Sequence, residues 1–178
     1  IAIYVDSKYT FSVLEYILTN EKLYIGREIT EGEIERIKST SKNQETKNRV
    51  IALISRRPRS EKEVLDYLKN RVPSEEIDPV INDLKEKDYI NDQQFTKWWV
   101  DQRRTFTNKS KNIIRQELIK KGISKGLITQ ELDSVDEDSD IESARELVKK
   151  KKRLLEHKDL EGRELNQKVI TYLQGKGF

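Results

Sequence analysis

One pattern of apolar residues occurs three times in this chain. Val64, Leu68 and Val72 are spaced four apart. Ile114, Leu118 and Gly122-Ile123 repeat that spacing 50 residues later, and Val169, Leu173 and Gly177-Phe178 repeat it 55 residues after that. A second pattern moves with the first: Ile77, Ile81 and Leu84 stand 51 residues before Ile128, Leu132 and Val135, and Ile90 stands 51 before Ile141. Spacings of three and four mark one face of an α-helix. A period near 50 marks a supersecondary unit duplicated in tandem. Heptad-like spacing can match any helix with any other. The Leu-x3-Gly ending shared by two copies, and the preserved order of three helices, argue for true repetition.

Composition agrees with helices in thin layers. Of 178 residues, 38% are charged and 34% are hydrophobic, against a charged share of about 25% in ordinary globular domains. Mean hydropathy is −0.84. Such a chain suits helices with one apolar stripe and a wide solvated face, not a thick sheet-rich core. The chain has no cysteine and one histidine, His157. That excludes disulfides, a thiolate nucleophile, Cys-ligated zinc and a multi-histidine metal site. No apolar run approaches the roughly 18 residues a membrane span needs. The expectation is a cytoplasmic protein that makes no membrane contact and is monomeric.

Read in order, the chain divides into four segments. Residues 1–45 hold a hairpin pattern, Ile1–Val5 and Tyr9–Val13 around an Asp6-Ser7-Lys8 turn, and a short helical turn from Leu14. A capping box, Thr30-x-x-Glu33, then opens a helix with Ile34 and Ile37 on its apolar edge. Residues 39–45 are polar and read as a linker. Residues 46–91 form a first three-helix unit, 92–137 a second and 138–178 an incomplete third that lacks its third helix. Pro58 ends the first helix of its unit, Ser60-x-x-Glu63 caps the next, and Pro79 predicts a kink or a loose first turn. Asn91-Asp92, Ser110 and Ser124 precede further helices, and Gly122 suits a C′ position. Absence of Met and the start at Ile1 suggest that the native start is missing.

Catalytic chemistry finds no foothold. The seven glycines are scattered and form no phosphate loop. His157 lies in a polar stretch with no triad spacing. The acids Asp136, Glu137, Asp138 and Asp140 could hold a hard cation, but acids at a helix N-terminus account for them better. The reading is a protein that is not an enzyme and carries no metal or cofactor. Of the adjacent tryptophans, Trp98 stands three residues from Phe95 and is expected in the core, leaving Trp99 at a boundary or exposed.

Charge is distributed unevenly. The net is −2 over residues 1–45, zero over 46–92, +5 over 93–135 and zero over 136–178. Within the third segment nine cations between Lys97 and Lys125 face only Asp101 and Glu117. This local field can attract phosphate or an acidic protein surface, or can be merely a solvated helix face. The run Lys149 to Arg153 wraps around its helix and reads as a solvated face.

Four stretches resemble the RecX family of bacterial regulatory proteins. They are Ala52-Leu53-Ile54-Ser55-Arg56-Arg57-Pro58-Arg59-Ser60-Glu61-Lys62-Glu63, the segment from Leu84 to Phe95, Ile114 to Ile123, and Tyr172-Leu173-Gln174-Gly175-Lys176-Gly177-Phe178. Together they span residues 50–178 in the family's order. Local departures are Asn91-Asp92 for Asp-Asp, Thr96 for Ala after the Phe, and Asn108 to Lys111 where Gly-Pro is common. The resemblance implies a mostly α fold of tandem three-helix repeats in an elongated curved array, with the N-terminal hairpin and helix as an appendage. It also implies a modulator that associates with the RecA filament on single-stranded DNA and depresses its ATPase, strand-exchange and coprotease functions. Direct DNA binding occurs in several members.

Contact with such a filament would fall to basic residues. Arg56, Arg57 and Arg59 cluster at the first inter-helix turn, and Arg103, Arg104, Lys109 and Lys111 at its equivalent in the second unit. Arg115, Lys120, Lys121 and Lys125 extend the set. Arginine pairs bidentately with carboxylate or phosphate; an internal ion pair is the competing role for Arg57. Two other readings stay open: a stand-alone DNA-binding repeat protein, and a helical scaffold for an unrelated partner.

Overall fold

The computed structural model describes residues 1–136, 138–157, 160 and 162–178. Part of the acidic run at 136–140, and Lys158 and Asp159 beside His157, lie outside the described residues. The chain folds as two strands followed, among the described residues, by nine helices. The strands are β1 (Ala2–Val5) and β2 (Lys8–Ser12). The helices are α1 (Glu15–Asn20), α2 (Glu31–Ile54), α3 (Glu61–Leu68), α4 (Ser74–Glu86), α5 (Asp92–Thr107), α6 (Lys111–Lys120), α7 (Lys125–Asp133), α8 (Asp138–Leu155) and α9 (Gly162–Gln174). None is long and apolar enough to cross a membrane. Two compact units form, one from residues 1–57 and 65–89, the other from 58–64 and 90–178.

In the first unit β1 and β2 pair antiparallel, with Ile3 opposite Phe11 and Tyr4 opposite Tyr9. Asp6 and Ser7 both take positive φ, 50° and 63°, as the tight hairpin turn that matches strand twist requires. Lys8 already belongs to β2, one residue earlier than the turn pattern suggests. Phe11, Val13, Ile17 and Ile37 form a small core, with Ile3, Leu23 and Ile34 against it. Thr30 and Glu33 close the expected capping box: the Thr30 hydroxyl accepts the Glu33 N–H, and the Glu33 carboxylate accepts the Thr30 N–H.

The linker expected at 39–45 does not exist, because α2 runs through it without a break. The segment has no Gly or Pro to interrupt a helix. Its polarity reflects exposure and specific pairing instead. Ser41 is buried and its hydroxyl donates to the Ser12 carbonyl at 3.2 Å. Lys42 pairs with Glu76 at 2.8 Å, and Lys47 pairs with Asp83 at 3.0 Å, fastening α2 to α4. Pro79 is carried inside α4, whose buried face of Ile77, Val80, Ile81 and Leu84 holds the helix together around the missing N–H.

The second unit is built around Phe95, Trp99, Val100, Ile114, Leu118, Ile123, Ile128 and Leu132, with Trp98 packed against their edge. The expected roles of the tryptophans are therefore reversed. Trp99 stacks on Phe95 with centroids 5.6 Å apart, while Trp98 remains partly exposed. The i+4 position lies closer to the stripe direction set by Phe95, Trp99 and Val100 than the i+3 position does. Asn91 caps α5, Ser110 caps α6 and Ser124 caps α7 through their side chains.

The sequence repeat is visible as a repeated junction. Gly122 has φ +82° and Gly177 φ +91°. At each, the next residue's N–H reaches back to a leucine carbonyl: Ile123 to Leu118 at 3.1 Å, Phe178 to Leu173 at 3.1 Å. These are matching Schellman ends. Each glycine lies against the start of a preceding helix. A methyl at Gly122 would fall 2.8 Å from Lys62 Cβ, and one at Gly177 would overlap Ile113 Cγ1 and Ser110 Oγ.

Candidate functional site

The basic residues of the second unit divide into those bound within the fold and those free to meet a partner. Glu117 on α6 is the centre of the first group. Its carboxylate accepts the Trp99 Nε1–H at 2.9 Å and the Arg103 Nε–H at 2.7 Å, and it pairs with Lys109. The Arg103 guanidinium also lies 4.1 Å from the Trp99 ring centroid, and the Lys121 ammonium 4.6 Å from it. Such contacts are cation–π stacks. Lys121 completes the set by pairing with Glu63. Burial by itself would raise the Glu117 carboxyl, but hydrogen bonds from Lys109 and Arg103, the Arg103 charge and the Trp99 N–H outweigh it and hold it below its ordinary value.

A second internal acid is Asp140 at the start of α8. It pairs with Arg104 at 2.8 Å and accepts the Lys111 N–H at 3.1 Å. The Lys111 ammonium donates to the Val135 carbonyl at 2.7 Å. Arg103, Arg104, Lys109, Lys111 and Lys121 are thus half-buried and joined to partners inside the unit. Their arrangement stabilises helix junctions. Arg57 and Arg59 are half-buried too, and each interacts within the protein. Arg56, Arg115, Lys120 and Lys125 are the exposed members of the candidate set. Arg115 and Lys120 lie on α6 and Lys125 opens α7, so three of the four belong to consecutive elements. The half-exposed Ile119 stands between Arg115 and Lys120.

A pocket that charge counting does not reveal lies where the end of α5, the middle of α8 and the end of α9 meet. Its volume is about 580 Å³. Lys149, Lys150, Arg153, Lys176, Phe106 and Tyr172 line it. Phe106 is 73% exposed at its rim. Tyr172 faces two cations, with the Lys151 and Lys176 ammonium groups 5.1 and 5.8 Å from its ring centroid. Glu146 is the acid in the lining; its carboxylate accepts from the Asn108 amide at 3.4 Å. The run 149–153, read as a solvated face, is largely exposed, and three of its residues also line this pocket. Positions i, i+1 and i+4 share a side of a helix, and Lys149, Lys150 and Arg153 have that spacing. Among the described residues no group of three or more His, Cys, Asp or Glu side chains could hold a metal ion.

Comparison with known proteins places the chain among relatives. Family models of RecX match it in order: the first three-helix domain at residues 47–84, the second at 91–132 and the third at 137–178. The regulatory protein RecX of Listeria monocytogenes serotype 4b (strain F2365) is 36% identical over 178 residues, covering 99% of this chain and 65% of its own length. That of Bacillus pumilus (strain SAFR-032) is 33% identical over 177 residues, covering 99% of this chain and 66% of its own. The chain thus spans slightly under two thirds of these relatives' length. A crystal structure of regulatory protein RecX superimposes with a TM-score of 0.77 at 29% identity, over 99% of this chain and 88% of that one. The crystal structure of RecX from Lactobacillus salivarius gives 0.63 at 26% identity, over 76% and 88%.

Proposed function

The chain belongs to the RecX family of regulatory proteins, and on that premise we propose that it binds the RecA filament on single-stranded DNA and inhibits its ATPase, recombinase and coprotease activities. The observation that carries this reading is the succession of three RecX three-helix domains, matched in order from residue 47 to 178. A row of similar units can touch successive protomers of a filament. Several modest contacts made together then give useful affinity, because each later contact is intramolecular.

The proposed contacts are the exposed cations Arg56, Arg115, Lys120 and Lys125. Arg103, Arg104, Lys109, Lys111 and Lys121 serve in this reading as internal braces, since each already has a partner. Exposed cations cost little to desolvate at an interface rim and mainly set the association rate and its salt dependence. Co-precipitation tests the reading. Tagged protein should retain purified RecA when single-stranded DNA and nucleotide are present, and retain much less without DNA. Equal, weak retention in both conditions would contradict it.

A further inference from the structure

Strand β1 has an open edge. Ile1 and Val13 exchange both main-chain bonds: the Ile1 nitrogen donates to the Val13 carbonyl at 2.7 Å, and the Val13 N–H donates to the Ile1 carbonyl at 2.8 Å. Main-chain groups alternate in direction along a strand, so Ala2 and Tyr4 turn their N–H and C=O groups away from β2. The extra residue of the ladder, Thr10, belongs to β2 and leaves this alternation intact. Among the described residues none of these main-chain groups has a hydrogen-bond partner. Native edges are commonly blunted by proline or charge, and Ala2–Val5 contains neither. A groove of about 830 Å³ is lined by β1 and by residues 23–29. Ile3, Leu18, Leu23 and Ile29 line it and also pack on the small core of Phe11, Val13, Ile17 and Ile37. Tyr4 and Tyr24 line it too, and stand 63% and 71% exposed.

We propose that this groove binds an extended, cation-flanked segment of a partner protein, which adds to β1 as a third strand. Main-chain bonds to Ala2 and Tyr4 supply the pairing, and the apolar lining takes alternate side chains of the segment. A third strand also brings the hairpin to the size at which a sheet with one apolar face becomes stable. Charge names the kind of strand. Asp6 and Glu28 line the groove, both are exposed, and among the described residues no cation pairs with either. Arg27, the cation in the lining, is already used. Its guanidinium pairs with Glu33 at 2.7 Å and donates to the Glu21 and Lys22 carbonyls. Tyr4 and Tyr24 offer exposed ring faces, on which a Lys or Arg of the partner gains a cation–π contact. Nucleic acid and acidic peptides meet like charge at the same two carboxylates. The proposal does not rest on RecA binding, and its test contains no RecA.

The probe is a fluorescein-labelled peptide, Lys-Arg-Val-Thr-Val-Thr-Val-Arg-Lys, titrated with the whole chain and followed by anisotropy. One control peptide carries Glu in place of every cation, and another carries N-methyl groups on alternate central amides. The protein variants are Ala2→Pro and the double change Asp6→Asn with Glu28→Gln. Proline is tolerated on an edge strand where its N–H would face outward. Asn accepts the positive φ that Asp6 adopts. Circular dichroism checks that both variants keep their helices. The cationic peptide should bind, and the Glu peptide should bind about tenfold less tightly or not at all. N-methylation and Ala2→Pro should each weaken the cationic peptide by about tenfold, the loss of one or two main-chain bonds. The N-methyl peptide leaves the protein unaltered, so this arm reads even if Ala2→Pro disturbs the hairpin. The double variant should weaken binding about fivefold, the worth of two exposed ion pairs, and flatten its salt dependence. No binding of the cationic peptide, equal binding of the Glu peptide, or binding indifferent to N-methylation would overturn the proposal. Sedimentation that shows a dimer, dissociated by Ala2→Pro but not by the peptide, would overturn it as well, because the edge would then belong to a second copy of this chain.

Discussion

The Ser60 hydroxyl donates to the Lys121 carbonyl at 2.8 Å, across 61 residues of sequence. The same hydroxyl oxygen accepts the Glu63 N–H at 3.2 Å, so one side chain caps α3 and closes a helix end. Fifty residues later Ser110 stands in the same place. Its hydroxyl caps α6, and its N–H donates to the Lys176 carbonyl at 3.1 Å. In each pair the serine is fully buried and the lysine precedes a C′ glycine. Ser60→Ala removes a cap worth about 1 kcal/mol and leaves a carbonyl without its donor, a further cost of about 1 kcal/mol or more. Urea denaturation should show a loss of about 2 kcal/mol in total. Ser110→Ala should lose less, because its bond to Lys176 comes from the main chain.

The two junction glycines should respond unequally to alanine. Positive φ alone costs a non-glycine residue about 1–2 kcal/mol. At Gly122 the added methyl falls 2.8 Å from Lys62 Cβ, an atom no rotamer change can move, so the start of α3 must give slightly. At Gly177 it meets Ile113, whose β-branch is stiff, and the capping hydroxyl of Ser110. Thermal melts should therefore place Gly177→Ala below Gly122→Ala, with both below the parent.

Glu117 should matter more for stability than its surface position suggests. Glu117→Gln removes the charge shared by Arg103 and Lys109, and Glu117→Ala also strands the Trp99 N–H. With side-chain exposures of 21–29% in this group, solvent screens part of the loss, and about 1–3 kcal/mol is expected for Glu117→Ala. Gln116→Ala, next to it and exposed, should change stability by less than about 0.5 kcal/mol. Chemical denaturation of the two variants side by side checks this.

Acid should unfold the protein through its braced carboxylates. Glu21 is lowered by its hydrogen bond from Arg36, Glu33 by the Thr30 N–H, and Asp83 by Lys47. Glu117 is lowered too, against burial. Each binds a proton more readily unfolded than folded. Their contribution is therefore complete above the unfolded carboxylate range of about 4 and lost as pH falls through the lower folded values. Urea midpoints should stay level from pH 7 to about 5 and then fall. Glu117→Gln should reduce the steepness of that fall.

Local chemistry made much of this fold legible. Thr30 with Glu33, Asn91, Ser110 and Ser124 each carry a cap whose partners lie within a few residues, and Gly122 declares its left-handed turn. Residues 39–45 misled because polarity signals exposure, not irregular backbone. Trp98 and Trp99 misled because the position of a helix stripe is set by what it packs against. The site was harder still. Arg103 and Lys109 look like a free patch until Glu117 is folded against them, and segment charge counts hold no information about pairing. The pocket needs Phe106, Lys150 and Tyr172 from three helices, and no spacing within one of them announces it.

Regulation of RecA by this chain is read out by the rate of ATP hydrolysis by RecA on single-stranded DNA, measured with increasing amounts of this protein. The rate should fall at amounts well below one copy per RecA protomer. The triple change Arg115→Glu, Lys120→Glu and Lys125→Glu should raise the amount needed by about tenfold, the effect of about 1.4 kcal/mol, while the helical circular dichroism is kept. A hydrolysis rate unchanged at equimolar protein would contradict regulation of RecA, and inhibition indifferent to the triple change would remove these residues from the contact.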